Sequence, residues 1–78
     1  MITCEDLNIE LCPACKYHIG RCWINDYKIR FEMNYFSINE IISYYKLLQK
    51  STYNNPSFYF YKAIEIINPR IAKLMVLI

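Results

Sequence analysis

Seventy-eight residues are enough for one domain and no more. With 55% hydrophobic residues and 17% aromatics, the chain has more apolar surface than a core of this size can hide. The formal net charge of +2 provides no dense basic stripe, so charge alone does not point to nucleic acid.

The charge is uneven. Glu5, Asp6 and Glu10 make the start acidic, and from Ile41 onward Glu65 is the only acid against Lys46, Lys50, Lys62, Arg70 and Lys73. The first ten residues lack the apolar stretch of a signal peptide. No apolar run reaches the ~18 residues of a membrane span. These features predict a cytoplasmic protein with reduced thiols and no membrane association. Residues with AT-rich codons (Ile, Asn, Lys, Tyr, Phe, Met) fill more than half of the chain. Such a composition fits a phage or viral protein working in the cytoplasm of its host cell.

In chain order, Thr3-x-x-Asp6 approximates a capping box and predicts a short helix from Cys4 to about Glu10, ended by Pro13. Tyr17–Ile19 and Cys22–Ile24 read as short strands around Gly20. Tyr27, Ile29, Phe31 and Met33 alternate with Lys28, Arg30 and Glu32, the period of a half-buried strand, with Tyr35 and Phe36 continuing it. This strand would pair with Trp23-Ile24 as a hairpin through Asn25-Asp26. Ser37-Ile-Asn-Glu40 is a capping box, and Ile38, Ile41, Ile42, Tyr45 and Leu48 form one face of a helix over 38–50. Asn55-Pro56 and Asn68-Pro69 are helix starts. The run 58–67 has strand-like composition, but Lys62 and Glu65 are three apart and share a helical face, so it reads as helix. A last helix runs from Pro69 to about Leu77. The expected fold is therefore α+β, a single domain over 1–78. A Cys-rich, metal-binding hairpin region (1–36) would lead into a helical region of two or three packed helices (37–78).

All four cysteines and the only histidine fall between Cys4 and Cys22. Zinc takes four nitrogen or sulfur ligands tetrahedrally, and a C-x2-C turn commonly supplies two. Cys12 and Cys15 form that pair and Cys22 is the third ligand. Cys4 and His18 compete for the fourth place. A four-ligand site would be structural, holding Zn2+ with no open position for chemistry. An iron–sulfur cluster uses the same ligands. The plainer alternative is four buried thiols acting as small core residues. The Cys12-Pro-Ala-Cys15 turn resembles the knuckle of zinc ribbons and rubredoxin-like sites over four residues, with Lys16 where those knuckles continue with Gly. Cys12-x2-Cys15-x6-Cys22 also resembles half of a fungal two-zinc cluster. The same Cys-Pro-x-Cys resembles that of glutaredoxins, which would imply thiol redox chemistry.

No Gly-rich phosphate loop or hydrolytic triad is legible, so the chain reads as non-enzymatic. The expected function is a zinc-stabilised protein–protein interaction module, as an inhibitor or adaptor that modulates a host protein, with self-association also open. Candidate contact residues are Tyr53, Phe58, Tyr59, Tyr61, Leu74, Val76 and Ile78. The alternative is a zinc-containing nucleic-acid-binding or transcription-regulating protein using Lys16, Arg21, Trp23, Lys28 and Arg30. A CxxC redox protein is the second alternative.

Overall fold

The computed structural model describes residues 1–32 and 36–77, and they form helices and turns only. There are five helices: α1 (Pro13–Tyr17), α2 (Trp23–Glu32), α3 (Ile38–Gln49), α4 (Pro56–Ile67) and α5 (Pro69–Val76). The α+β expectation is overturned, because no strand and no hairpin occur among the described residues. Met33 and Tyr35 lie outside them.

The described part of the predicted strand, Tyr27 to Glu32, falls in α2. Both periods fit this segment, since Tyr27 and Phe31 of the alternating set also stand four apart, with Ile24 three positions before Tyr27. Ile24 is fully buried and Phe31 is 5% exposed, whereas Ile29, which the strand reading placed on the buried face, is 55% exposed. The deciding factor is backbone satisfaction. A strand here needs a partner for its N–H and C=O groups, while a helix pairs them within the segment. On the polar side Lys28 Nζ pairs with Glu32 at 3.0 Å, one turn apart. Tyr17, expected in a strand, closes α1, and residues 18–20 form the turn into α2. Gly20, at φ +76°, takes the left-handed position of that turn.

The helix expected over Cys4 to about Glu10 does not form: residues 4–8 make a hydrogen-bonded turn that opens with both bonds of the capping box. Asp6 N–H donates to Thr3 Oγ1 (3.2 Å) and Thr3 N–H donates to Asp6 Oδ2 (3.0 Å), the reciprocal pair expected from the sequence. Asn8 then adopts φ 56°. Its N–H bonds to the Glu5 carbonyl (3.0 Å) and the Ile9 N–H to the Cys4 carbonyl (3.1 Å). This is the left-handed closure of a Schellman motif, and it ends the turn before a helix can propagate toward Glu10.

The C-terminal half follows the local signals. Ser37 and Glu40 make both bonds of the capping box before α3. Asn68 accepts from the N–H groups of Arg70 and Ile71 at the start of α5. Asn55 precedes Pro56 at the start of α4 but makes no side-chain cap bond.

α4 packs against α2, α3 and α5 and forms the centre of the molecule. It presents two adjacent stripes. Tyr59 and Ala63 face a core containing Cys4, Cys12, Cys22, Ala14 and Ile24. Phe60 and Ile64 face a second core with Phe31, Ile41, Ala72 and Met75. The Phe60 ring lies edge-on to Tyr27, Phe31 and Tyr44, with centroids 5.3, 4.9 and 5.0 Å away. Such pairs add to the area term of burial. α2 bridges the same two cores, with Ile24 in one, Phe31 in the other and Tyr27 against both. None of the described helices is long and apolar enough to cross a membrane.

Phe60 is fully buried. Phe60→Ala should cost about 3–5 kcal/mol, a large share of the stability of a small domain, measurable by denaturant unfolding. Burial, with Tyr44 adding to it, pushes the Tyr27 hydroxyl up from 10.0 to about 12. The folded state then keeps a proton that the unfolded chain has lost, so stability from this group is complete below pH 10 and disappears toward pH 12. We expect unfolding midpoints to fall across that window and Tyr27→Phe to move the fall to higher pH.

Candidate metal centre

The sequence delivers four sulfurs to one point from three short segments. Cys4 opens the N-terminal turn, Cys12 is the N-cap of α1, Cys15 lies within α1, and Cys22 immediately precedes α2. Pro13 at the first helical position fixes φ after Cys12, which lets the chain enter α1 directly. Cys22 accepts the first bond of α2 through its carbonyl, from Asp26 N–H at 3.0 Å.

The four Sγ atoms all lie within 4.8 Å of one another. Cys4 Sγ and Cys22 Sγ are 3.7 Å apart. All four are free thiols; Cys4, Cys12 and Cys22 are buried and Cys15 is half-buried. This group of soft donors can hold a metal ion.

The backbone around the cluster favours thiolate at Cys12. Its sulfur accepts N–H groups from Cys15 (3.5 Å) and Trp23 (3.4 Å). Burial raises the Cys12 thiol, but these two donors together with hydrogen bonds from the Cys15 and Cys4 thiols outweigh it and leave it below its ordinary value. Burial pushes Cys4 and Cys15 the other way, upward. The cluster therefore starts with one sulfur prepared for charge and two neighbours resisting it.

His18 is not part of the group. It caps the C-terminus of α1, exposed, with its backbone N–H on the Ala14 carbonyl. Cys4, its rival for the fourth place, is in the cluster, because the Schellman turn folds 4–9 back over the entries to α1 and α2.

Tyr59 belongs to this site, and no local pattern marks it. Its hydroxyl donates to the Glu10 carbonyl at 3.0 Å, tying the Cys4–Cys12 connection to α4 across 49 positions. Its ring meets Trp23 edge-on at 5.7 Å. Burial raises its hydroxyl to about 12, with the nearby Cys4 adding to the effect. Tyr59 is 4% exposed, so its expected role as a contact residue is corrected to one in the core.

The other expected contact residues are scattered. Tyr53 (81%), Val76 (57%), Leu74 (41%) and Phe58 (37%) are exposed. Tyr61 is half-buried, and Ile78 lies outside the described residues. The expected basic patch is largely engaged. Arg21 pairs with Asp26 at 3.3 Å and Lys28 with Glu32, and Arg30 lies 6.0 Å from the centre of the Phe31 ring. Trp23 is packed on Tyr59, and Lys16 remains exposed.

Comparisons with protein family models, with curated proteins and with solved structures gave no match.

Removing the Tyr59 hydroxyl isolates one link between cluster and scaffold. Tyr59→Phe should destabilise the protein by about 1 kcal/mol, seen as a lowered denaturant midpoint, with the fold unchanged by circular dichroism.

Proposed function

We propose that the protein is a non-enzymatic interaction module whose N-terminal third is held by a structural zinc ion on Cys4, Cys12, Cys15 and Cys22. The observation that carries this reading is the mutual distance of the sulfurs. Four thiolates about 2.3 Å from a tetrahedral ion stand about 3.8 Å apart. Cys4 and Cys22 already have this separation at 3.7 Å, and the widest pair at 4.8 Å needs to close by only about 1 Å. A multi-iron cluster places metal and sulfide atoms between its cysteines and needs them spread wider, so a single ion is favoured. The two N–H donors on Cys12 act as the outer shell that orients a ligand and offsets its charge.

Four protein sulfurs fill a tetrahedral ion and leave no position for substrate. Thiol redox chemistry is disfavoured as well, since the low-lying thiol, Cys12, is fully buried. The work of the protein then falls to its surface, where exposed Tyr17, Tyr53, Leu74 and Val76 supply apolar area for a protein partner. Four thiols available as ligands fit a reducing compartment such as the cytoplasm.

Protein purified without chelator should contain one zinc per chain by elemental analysis. Cobalt exchanged into the site should give the charge-transfer absorption of tetrahedral thiolate ligation. Cys22→Ser should lose metal and fold together, because the binding energy of a structural site is folding energy, whereas His18→Ala should keep both. Acid should release the ion, since falling pH returns protons to the thiolates. Metal-free protein that stays folded would sink the reading.

A further inference from the structure

Beside the metal centre, a cleft of about 650 Å³ runs between α1 and the 49–55 connection, floored by the first turn of α4. We propose that this cleft is the partner site and that it takes an extended, uncharged-to-mixed peptide segment. The inference rests on the interaction-module reading and assigns it a location and a ligand class.

The lining supports that class. Gln49, Asn54 and Asn55 bring three carboxamides to one cleft. Each carboxamide both donates and accepts, as a peptide group does. None is used by the fold: Asn55 occupies the N-cap position of α4 without a cap bond, and Gln49 and Asn54 make no side-chain hydrogen bond among the described residues. Tyr17 and Phe58 add aromatic surface, and Tyr17 is 77% exposed. Tyrosine of this kind gives contact area at low entropy cost. The charged groups of the lining are one acid, Glu10, and one base, Lys16. They favour neither a polyphosphate backbone nor a strongly charged tail. The volume is within the range of ligand clefts and suits a few residues of extended chain.

The ion would pin one wall, α1, through Cys12 and Cys15. The opposite wall turns through Asn54 and Asn55, at φ 60° and 53°, a left-handed pair that Asn tolerates better than other side chains. A preformed groove avoids ordering costs that a flexible one would meet on binding.

The test uses the zinc-loaded full chain and a phage-displayed library of random peptides. Panning should enrich peptides whose synthetic versions bind by fluorescence anisotropy. Tyr17→Ser removes an exposed ring, and Asn55→Gly removes a carboxamide while keeping the left-handed backbone. Each should weaken the selected peptides about tenfold. Lys73→Ala, on α5 outside the cleft, should leave binding unchanged. No enrichment, or peptides indifferent to Tyr17→Ser and Asn55→Gly, overturns the proposal. So does a single-stranded oligonucleotide that binds more tightly and displaces them. Zinc content of every variant is measured in parallel. Peptide binding by a chain without zinc would refute the metal reading and keep the cleft, whereas one zinc per chain without peptide binding would do the reverse.

Discussion

The structure depends on the convergence of four sulfurs at the junction of the N-terminal turn, α1 and α2. Residues 1–22 contain one helical turn and a five-residue helix, neither long enough to persist alone. The buried residues they bring are small: Cys4, Cys12, Ala14 and Cys22. Burying a few thiols and a methyl group does little against the entropy of ordering so much irregular chain. An ion bound by all four thiolates would supply what this segment lacks, and it would resolve the conflict between a Cys12 drawn toward thiolate and neighbours that burial holds protonated.

α4 carries that constraint into the rest of the molecule. Tyr59 and Ala63 lie one turn apart and touch the cysteine core, while Phe60 and Ile64, each one residue further on, touch the aromatic core. Ala63 is fully buried, and its small side chain lets neighbouring elements approach α4 closely. α2 repeats the scheme with Ile24 and Phe31. The two cores are therefore joined by two helices that belong to both. Tyr59 and Ile24 thus seat the cysteine core on the same helices that bury the aromatic cluster.

Much of this was legible where the signal is local. The Ser37–Glu40 box, the two Asn-Pro starts and the spacing of Ile41, Tyr45 and Leu48 marked α3, α4 and α5, because caps and helical faces are written within a few residues. The grouping of the cysteines was legible for the same reason. α2 was misread because 27–33 satisfies both periods, and the choice turns on whether a partner strand exists elsewhere. The helix expected from Cys4 is absent because Asn8 closes the turn in a left-handed conformation that is open to Asn but not dictated by it. Tyr59 was placed on the surface because its partner, the Glu10 carbonyl, lies 49 positions away and carries no side-chain signature.

The burial of the sulfurs also separates what the centre can do from what the molecule can do. A site that performs chemistry keeps a coordination position and a path to it. Here three of the four sulfurs have no exposed surface, and the fourth is half-covered on a helix that forms the wall of the neighbouring cleft. The centre thus sets the position of α1 but does not face solvent as a reactive group. The consequence appears on the other side of α1, where Lys16 and Tyr17 meet the 49–55 connection. A five-residue helix fixed at its N-cap has little freedom to move when something packs against it. If the neighbouring cleft is a recognition site, a cluster of this kind beneath its wall would hold the wall in place while leaving the outer residues free to vary, with Cys12 and Cys15 on one side of the short helix and Lys16 and Tyr17 lining the cleft.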